Sequence, residues 1–186
     1  MESRAKVLGH PVHQILIVFP LGLLSTTVAF DALRLVTGNE KWSVASHKML
    51  GAGLISAVVA APFGLIDWVA IPEGTRAKRI GMWHGLGNLA VAGLFGASWL
   101  LRRGSPEKNV VLPGILAAAG GALAGLTGWL GGELVSNHGI GVHADAGANA
   151  ESSLRRGPLV DFSIPKPGEA EGEPEPADYI PSPVPT

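Results

Sequence analysis

Between Val110 and Leu130 the chain has no charged side chain, and none falls between Leu50 and Ile66. Runs of this kind are apolar on every side of a helix, a surface that water does not tolerate. Hydropathy outlines four such segments, at 12–35, 44–71, 80–101 and 110–135. Each is close to the ~20 residues that an α-helix needs to cross the hydrocarbon core of a bilayer. The links between them are short and polar: Gly38-Asn39-Glu40-Lys41, then residues 73–79, then 102–108. Links this short make consecutive helices antiparallel neighbours. The expected fold is therefore all-α, a four-span transmembrane up-down bundle over residues 1–143.

Composition supports this division. Charged residues make up 16% of the 186-residue chain, against about 25% in ordinary soluble domains. The net charge of −1 is the sum of +4 up to His143 (11 Lys and Arg, 7 Asp and Glu) and −5 beyond it (3 and 8). Eight of the 14 prolines also lie after His143. Residues 144–186 thus read as a disordered acidic tail, too poor in apolar surface to offset its ordering entropy. Within it, the apolar island Pro158–Pro165 is either a loose collapsed patch or a segment that docks on the bundle.

Tryptophans gather where the indole ring is buried and its N–H stays wet. If the rim carrying the N-terminus is called side A, an up-down path puts Trp68, Trp83 and Trp129 near side A and Trp42 and Trp99 near side B. A secretory signal is the competing reading of the first segment, but the apolar run is too long and three more follow it. Lysines and arginines divide almost evenly between the two rims, so orientation stays open. Along the fourth segment Gly114, Ala118, Gly121, Gly125, Gly128 and Gly132 form a smooth stripe suited to close helix packing. Pro20 and Pro62 are expected to kink their helices.

Charge is costly inside lipid, so each ionisable residue raises the question of what it faces. The zigzag path collects His10 and His13, Asp67, His84, Glu133 and His138 at side A, with His143 just beyond. Spacings of three or four relate His10 to His13, His84 to Asn88 and Glu133 to Asn137, which places each pair on one helical face. Imidazole and carboxylate together bind zinc, iron, copper or manganese. The sharper expectation is a metal held by Asp67, His84 and His10 or His13, with Glu133 or His138 completing the set. A haem b between His13 and His84 is the related alternative, because membrane bundles hold haem between histidines on facing helices. The bland alternative is that these groups satisfy one another in a non-catalytic scaffold or assembly factor. A proton or solute path is weaker, since the middles of the second and fourth segments offer almost no polar groups. On side B, Asp31 and Arg34 form a local pair and His47 opens its helix beside Lys48. No phosphate-cradling, nucleophilic or nucleic-acid-binding motif is present. The absence of cysteine excludes disulfides, iron–sulfur ligation and thiolate zinc sites.

The segments Gly9-His10-Pro11-Val12-His13, 62–68 and 127–135, followed by Asn137-His138-Gly139-Ile140-Gly141-Val142, resemble a bacterial family of predicted membrane proteins, domain of unknown function 2231. The resemblance spans about residues 7–143. It implies a four-helix inner-membrane protein whose relatives are sometimes joined to Rieske-type iron–sulfur domains, hence redox surroundings but no established reaction. Without cysteine or a Rieske ligand pattern here, such a redox partner would be a separate protein. The other expected partner is the lipid bilayer.

Overall fold

The computed structural model describes residues 1–108, 110–155 and 158–162. Its helices are α1 (Val12–Leu16), α2 (Val18–Thr37), α3 (Lys41–Ala70), α4 (Arg76–Leu101) and α5 (Val111–Ser136). The first expected span is interrupted at Ile17, because Pro20 has no N–H to donate to the Leu16 carbonyl. Gly38, at φ 69°, stops α2 in the left-handed conformation that suits glycine. Thr75 caps α4 by accepting from Lys78 N at 3.1 Å. Pro62 lies inside α3.

Three helical stretches are long and apolar enough to cross a membrane: Val12–Thr37, Lys41–Ala70 and Val111–Ser136. Helix α4 matches α5 in length, but Trp83, His84, Asn88 and its glycines lower its hydropathy. The surface carries the large apolar side chains, with Leu35, Ile55, Val58, Leu89 and Leu126 all exposed. The interior adds to a small apolar core the hydroxyl side chains of Thr27, Ser43, Ser46, Ser98 and Thr127. Such a distribution suits lipid, where helices associate by close approach and polar contact.

Helix α2 packs chiefly on α3, and α4 on α5. In both pairs the partners run in opposite directions. Going up the first helix of each pair, contacts go down the second: His13 with Ala60, Leu24 with Gly53 and Asp31 with Ser46, then His84 with Thr127, Phe95 with Gly120 and Ser98 with Pro113. These contacts also reveal a repeat. His13 and His84, Leu24 and Phe95, Thr27 and Ser98, and Asp31 and Arg102 are each 71 positions apart. Ser46 and Pro113, Leu50 and Ala117, Gly53 and Gly120, Ala60 and Thr127, Gly64 and Gly131, and Asp67 and Leu134 are each 67 apart. The chain is built from two equivalent hairpins. Their shared core is Leu24, Leu50, Val91, Phe95 and Ala117.

On α5 the buried positions are Pro113, Ala117, Gly120, Thr127 and Leu134. The expected packing stripe is therefore displaced by one residue, about 100° around the helix. A Cβ added at Gly114, Gly125, Gly128 or Gly132 would meet nothing within 4 Å, and of that stripe's glycines only Gly121 faces a neighbour, Val28, 3.1 Å from where its Cβ would be. Small size is necessary instead at Gly120, which faces the Phe95 ring, and at Gly87, which faces Thr127.

The all-α expectation also missed a three-stranded sheet, ordered β2-β1-β3 from β1 (Ala5–Val7), β2 (His10–Pro11) and β3 (Val160–Phe162). Leu8 and Gly9 both have positive φ, 51° and 77°, as a two-residue hairpin turn requires. β3 belongs to the apolar island of the C-terminal segment, so docking is the reading the structure supports for Val160–Phe162. Residues 163–186, the greater part of the expected disordered tail, lie outside the described residues.

Candidate functional site

At the side A rim the path gathers the expected histidines and acids, yet most of them are turned to a local task of their own. Asp67, buried near the end of α3, accepts from Ser3 Oγ at 2.9 Å on both carboxylate oxygens and from Arg4 N at 2.8 Å. The carboxylate thereby fastens the segment leading into β1 to the bundle. His10 Nε2 lies 3.0 Å from Ser153 Oγ. Glu133 accepts from Asn137 Nδ2, four residues on. His138 keeps a buried Nε2 with no hydrogen-bond partner among the described residues. His143 places Nε2 2.7 Å from Gly9 O and Nδ1 3.3 Å from a Glu2 carboxylate oxygen.

His13 and His84 share one arrangement. His13 Nδ1 lies 3.0 Å from the Ala60 carbonyl of α3, with its ring over Gly64, where an added Cβ would sit 2.7 Å from Cε1. His84 Nδ1 lies 2.8 Å from the Thr127 carbonyl of α5, with its ring over Gly131, where the same atom would sit 3.0 Å from Cε1. A carbonyl can only accept, so both rings carry their proton on Nδ1. His84 completes a closed circuit: Thr127 Oγ1 donates to Asn88 Oδ1 at 2.9 Å, and the Asn88 amide donates to His84 Nε2 at 3.0 Å. Gly64 and Gly131 are small because the imidazoles themselves occupy the space above them.

Among the described residues no group of three or more His, Asp or Glu is placed to hold a metal ion. The expected ligands His10, His13, Asp67, His84, Glu133 and His138 do not form such a group in the structure. Proximity along a rim does not converge lone pairs on one point when backbone N–H groups, hydroxyls and carbonyls compete for them.

One face of the three-stranded sheet adds a charged group. Glu2 binds Lys6 Nζ at 2.8 Å. The lysine bond pulls the Glu2 carboxyl down from 4.5 to about 2 against the opposing effect of burial, and Ala144 N and His143 add to the lowering. The same pairing raises Lys6. A depressed carboxyl stabilises the fold above its unfolded value and loses that contribution as pH falls towards the folded one. Amide exchange of residues 2–8 should therefore quicken as pH is lowered from 4.5 towards 2, after correction for intrinsic rates. Glu2→Gln should abolish the trend.

Sequence reasoning missed the strongest polar contact, which is on side B. Asp31 does not pair with Arg34; its oxygens receive NH1 and NH2 of Arg102, the residue that follows α4, both at 2.6 Å. Ser46 Oγ donates to Asp31 at 2.6 Å and accepts from Arg102 NH1 at 2.8 Å. Arg102 is 1% exposed. His47 stacks on Trp99 at 5.5 Å, a ring contact instead of a helix-opening role. Lys78 also escaped notice: its ammonium donates to the carbonyls of Trp68, Val69 and Ile71 and closes the end of α3. The 71-residue repeat was the available signal for Arg102, because it puts that residue opposite Asp31.

An apolar exterior, an interior rich in small and hydroxyl side chains and two histidine-pinned hairpins define a helical membrane protein. The chain belongs to the family described as Predicted membrane protein (domain of unknown function 2231), which matches residues 9–144. No curated protein and no solved structure matches it.

Proposed function

We propose that this chain is a four-span up-and-down module of a bacterial inner membrane that acts as an anchor or assembly scaffold, its rim residues holding its own segments in place. Support for the fourth span comes from α4 itself, which is as long as α5 and packs along it in the opposite direction. The observation that carries the scaffold reading is the employment of Asp67: its carboxylate is taken up by Ser3 and Arg4, in the middle of the expected ligand set. Elemental analysis of the purified protein is the test. Wild type and an Asp67→Ala, His84→Ala variant are expected to hold the same trace metal. Stoichiometric metal in the wild type, lost in the variant, overturns the reading.

A second reading rests on His13. Its Nδ1 is fixed on a carbonyl and its Nε2 has no hydrogen-bond partner among the described residues, the posture of an imidazole prepared to bind a metal centre. Paired with His84 it would hold haem b, a one-electron carrier, and pass electrons to a separate redox protein. That pairing requires Asn88 to release His84 Nε2. Expression with added haem decides it: a Soret band lost in His13→Ala establishes the haem, and a flat spectrum removes it.

A further inference from the structure

β3 lies beyond the residues that match the family, and its two faces differ. Cross-strand partners share a face, so Val160 and Phe162 lie with Val7 and Ala5, and Asp161 lies with Lys6. The second face is ionic, with Lys6 Nζ 3.6 Å from Asp161 and 2.8 Å from Glu2. The first face is apolar and only partly covered. Phe162 meets Phe63 of α3 with ring centroids 6.1 Å apart, yet it remains 54% exposed, Val160 52% and the adjoining Leu159 73%.

The Phe63 contact sets the depth of this face. Helix α3 has 30 residues, about 45 Å at 1.5 Å per residue. That equals the thickness of a bilayer with its headgroups, ~40–45 Å, of which the hydrocarbon is ~30 Å. Phe63 lies seven residues before the end of the helix at Ala70, about 10 Å inward along the axis. This is the level where headgroups give way to acyl chains. Val59, one turn before Phe63 on the same face of α3, is also exposed, so the apolar face of β3 continues the lipid-facing wall of the bundle. Backbone suits the same level, since one edge of β3 is bonded to β1 and the other meets hydrated headgroups. An open edge deeper in the hydrocarbon would be costly.

We infer that residues 158–162 form a membrane-surface element, with Leu159, Val160 and Phe162 set into the headgroup–acyl boundary and Asp161 turned away from it, on the ionic face beside Lys6. The lipid surface is its partner. A peripheral element of this kind gains affinity from its buried apolar area, and here the gain holds the start of the C-terminal segment against the rim. The inference depends on α3 crossing a bilayer and is independent of the scaffold and haem readings.

The chain has no cysteine, which permits a clean test. Val160→Cys, Asp161→Cys and Phe162→Cys, each labelled with an environment-sensitive dye, are reconstituted in vesicles of phosphatidylcholine and phosphatidylglycerol. Doxyl-labelled lipid should quench positions 160 and 162 severalfold more than 161, and aqueous iodide should give the reverse order. Equal iodide access at all three positions overturns the inference by placing the segment in water. Shielding of 160 and 162 from both quenchers also overturns it, by showing that protein covers the face.

Discussion

Replacing Asp31 by alanine is expected to destabilise the protein by about 3–5 kcal/mol, the usual effect of stranding one member of a buried ion pair. Arg102 is almost completely enclosed, and its guanidinium bridges Asp31 of α2 and Ser46 of α3. Without the carboxylate that charge has no counterpart in a region where few alternatives exist. The measurement is unfolding in mild detergent titrated with a denaturing one. The double variant Asp31→Leu, Arg102→Met should recover most of the loss, because similar-sized apolar replacements of a buried pair are often neutral or stabilising. A single variant as stable as the wild type would show that the pair does not hold the hairpins together.

The second large effect is positional. Gly120→Leu is expected to reduce the yield of folded protein sharply, whereas Gly125→Leu, five residues on, is expected to leave it nearly unchanged. A Cβ at position 120 already stands 3.0 Å from Phe95 Cδ2 and Cε2, in a ring that is wholly buried. The rest of a leucine has no room there, and overpacking of that kind costs ~1–3 kcal/mol or more. At position 125 nothing lies within 4 Å. Any gain in helix propensity, up to about 1 kcal/mol, applies to both sites and cancels in the comparison. Size-exclusion profiles and melting curves of the two variants check it. Equal damage at both positions would mean that the outward face of α5 is also packed in the membrane.

Helix number and extent were readable because uncharged runs of this length leave a chain few choices in water. Which face of each helix turns inward was not. On α5 every third or fourth residue is small on two adjacent faces, Gly114 to Gly132 and Pro113 to Gly131, so a count of small residues cannot choose between them. The choice is made where α4 meets α5: Phe95 of α4 needs Gly120, and Thr127 of α5 needs Gly87. The rim's membership was likewise legible and its chemistry was not. Asp67 is taken by Ser3 and Arg4, which stand 64 and 63 residues away in the chain, and no local spacing announces such a contact. β1 to β3 escaped because strands of two or three residues have no periodicity to detect.

The two hairpins carry opposite charges at matching positions, Asp31 in one and Arg102 in the other. Two copies of the first would press carboxylate on carboxylate, and two copies of the second guanidinium on guanidinium. Only the mixed pairing is neutral. A single inverted charge thus tells each half which partner to accept.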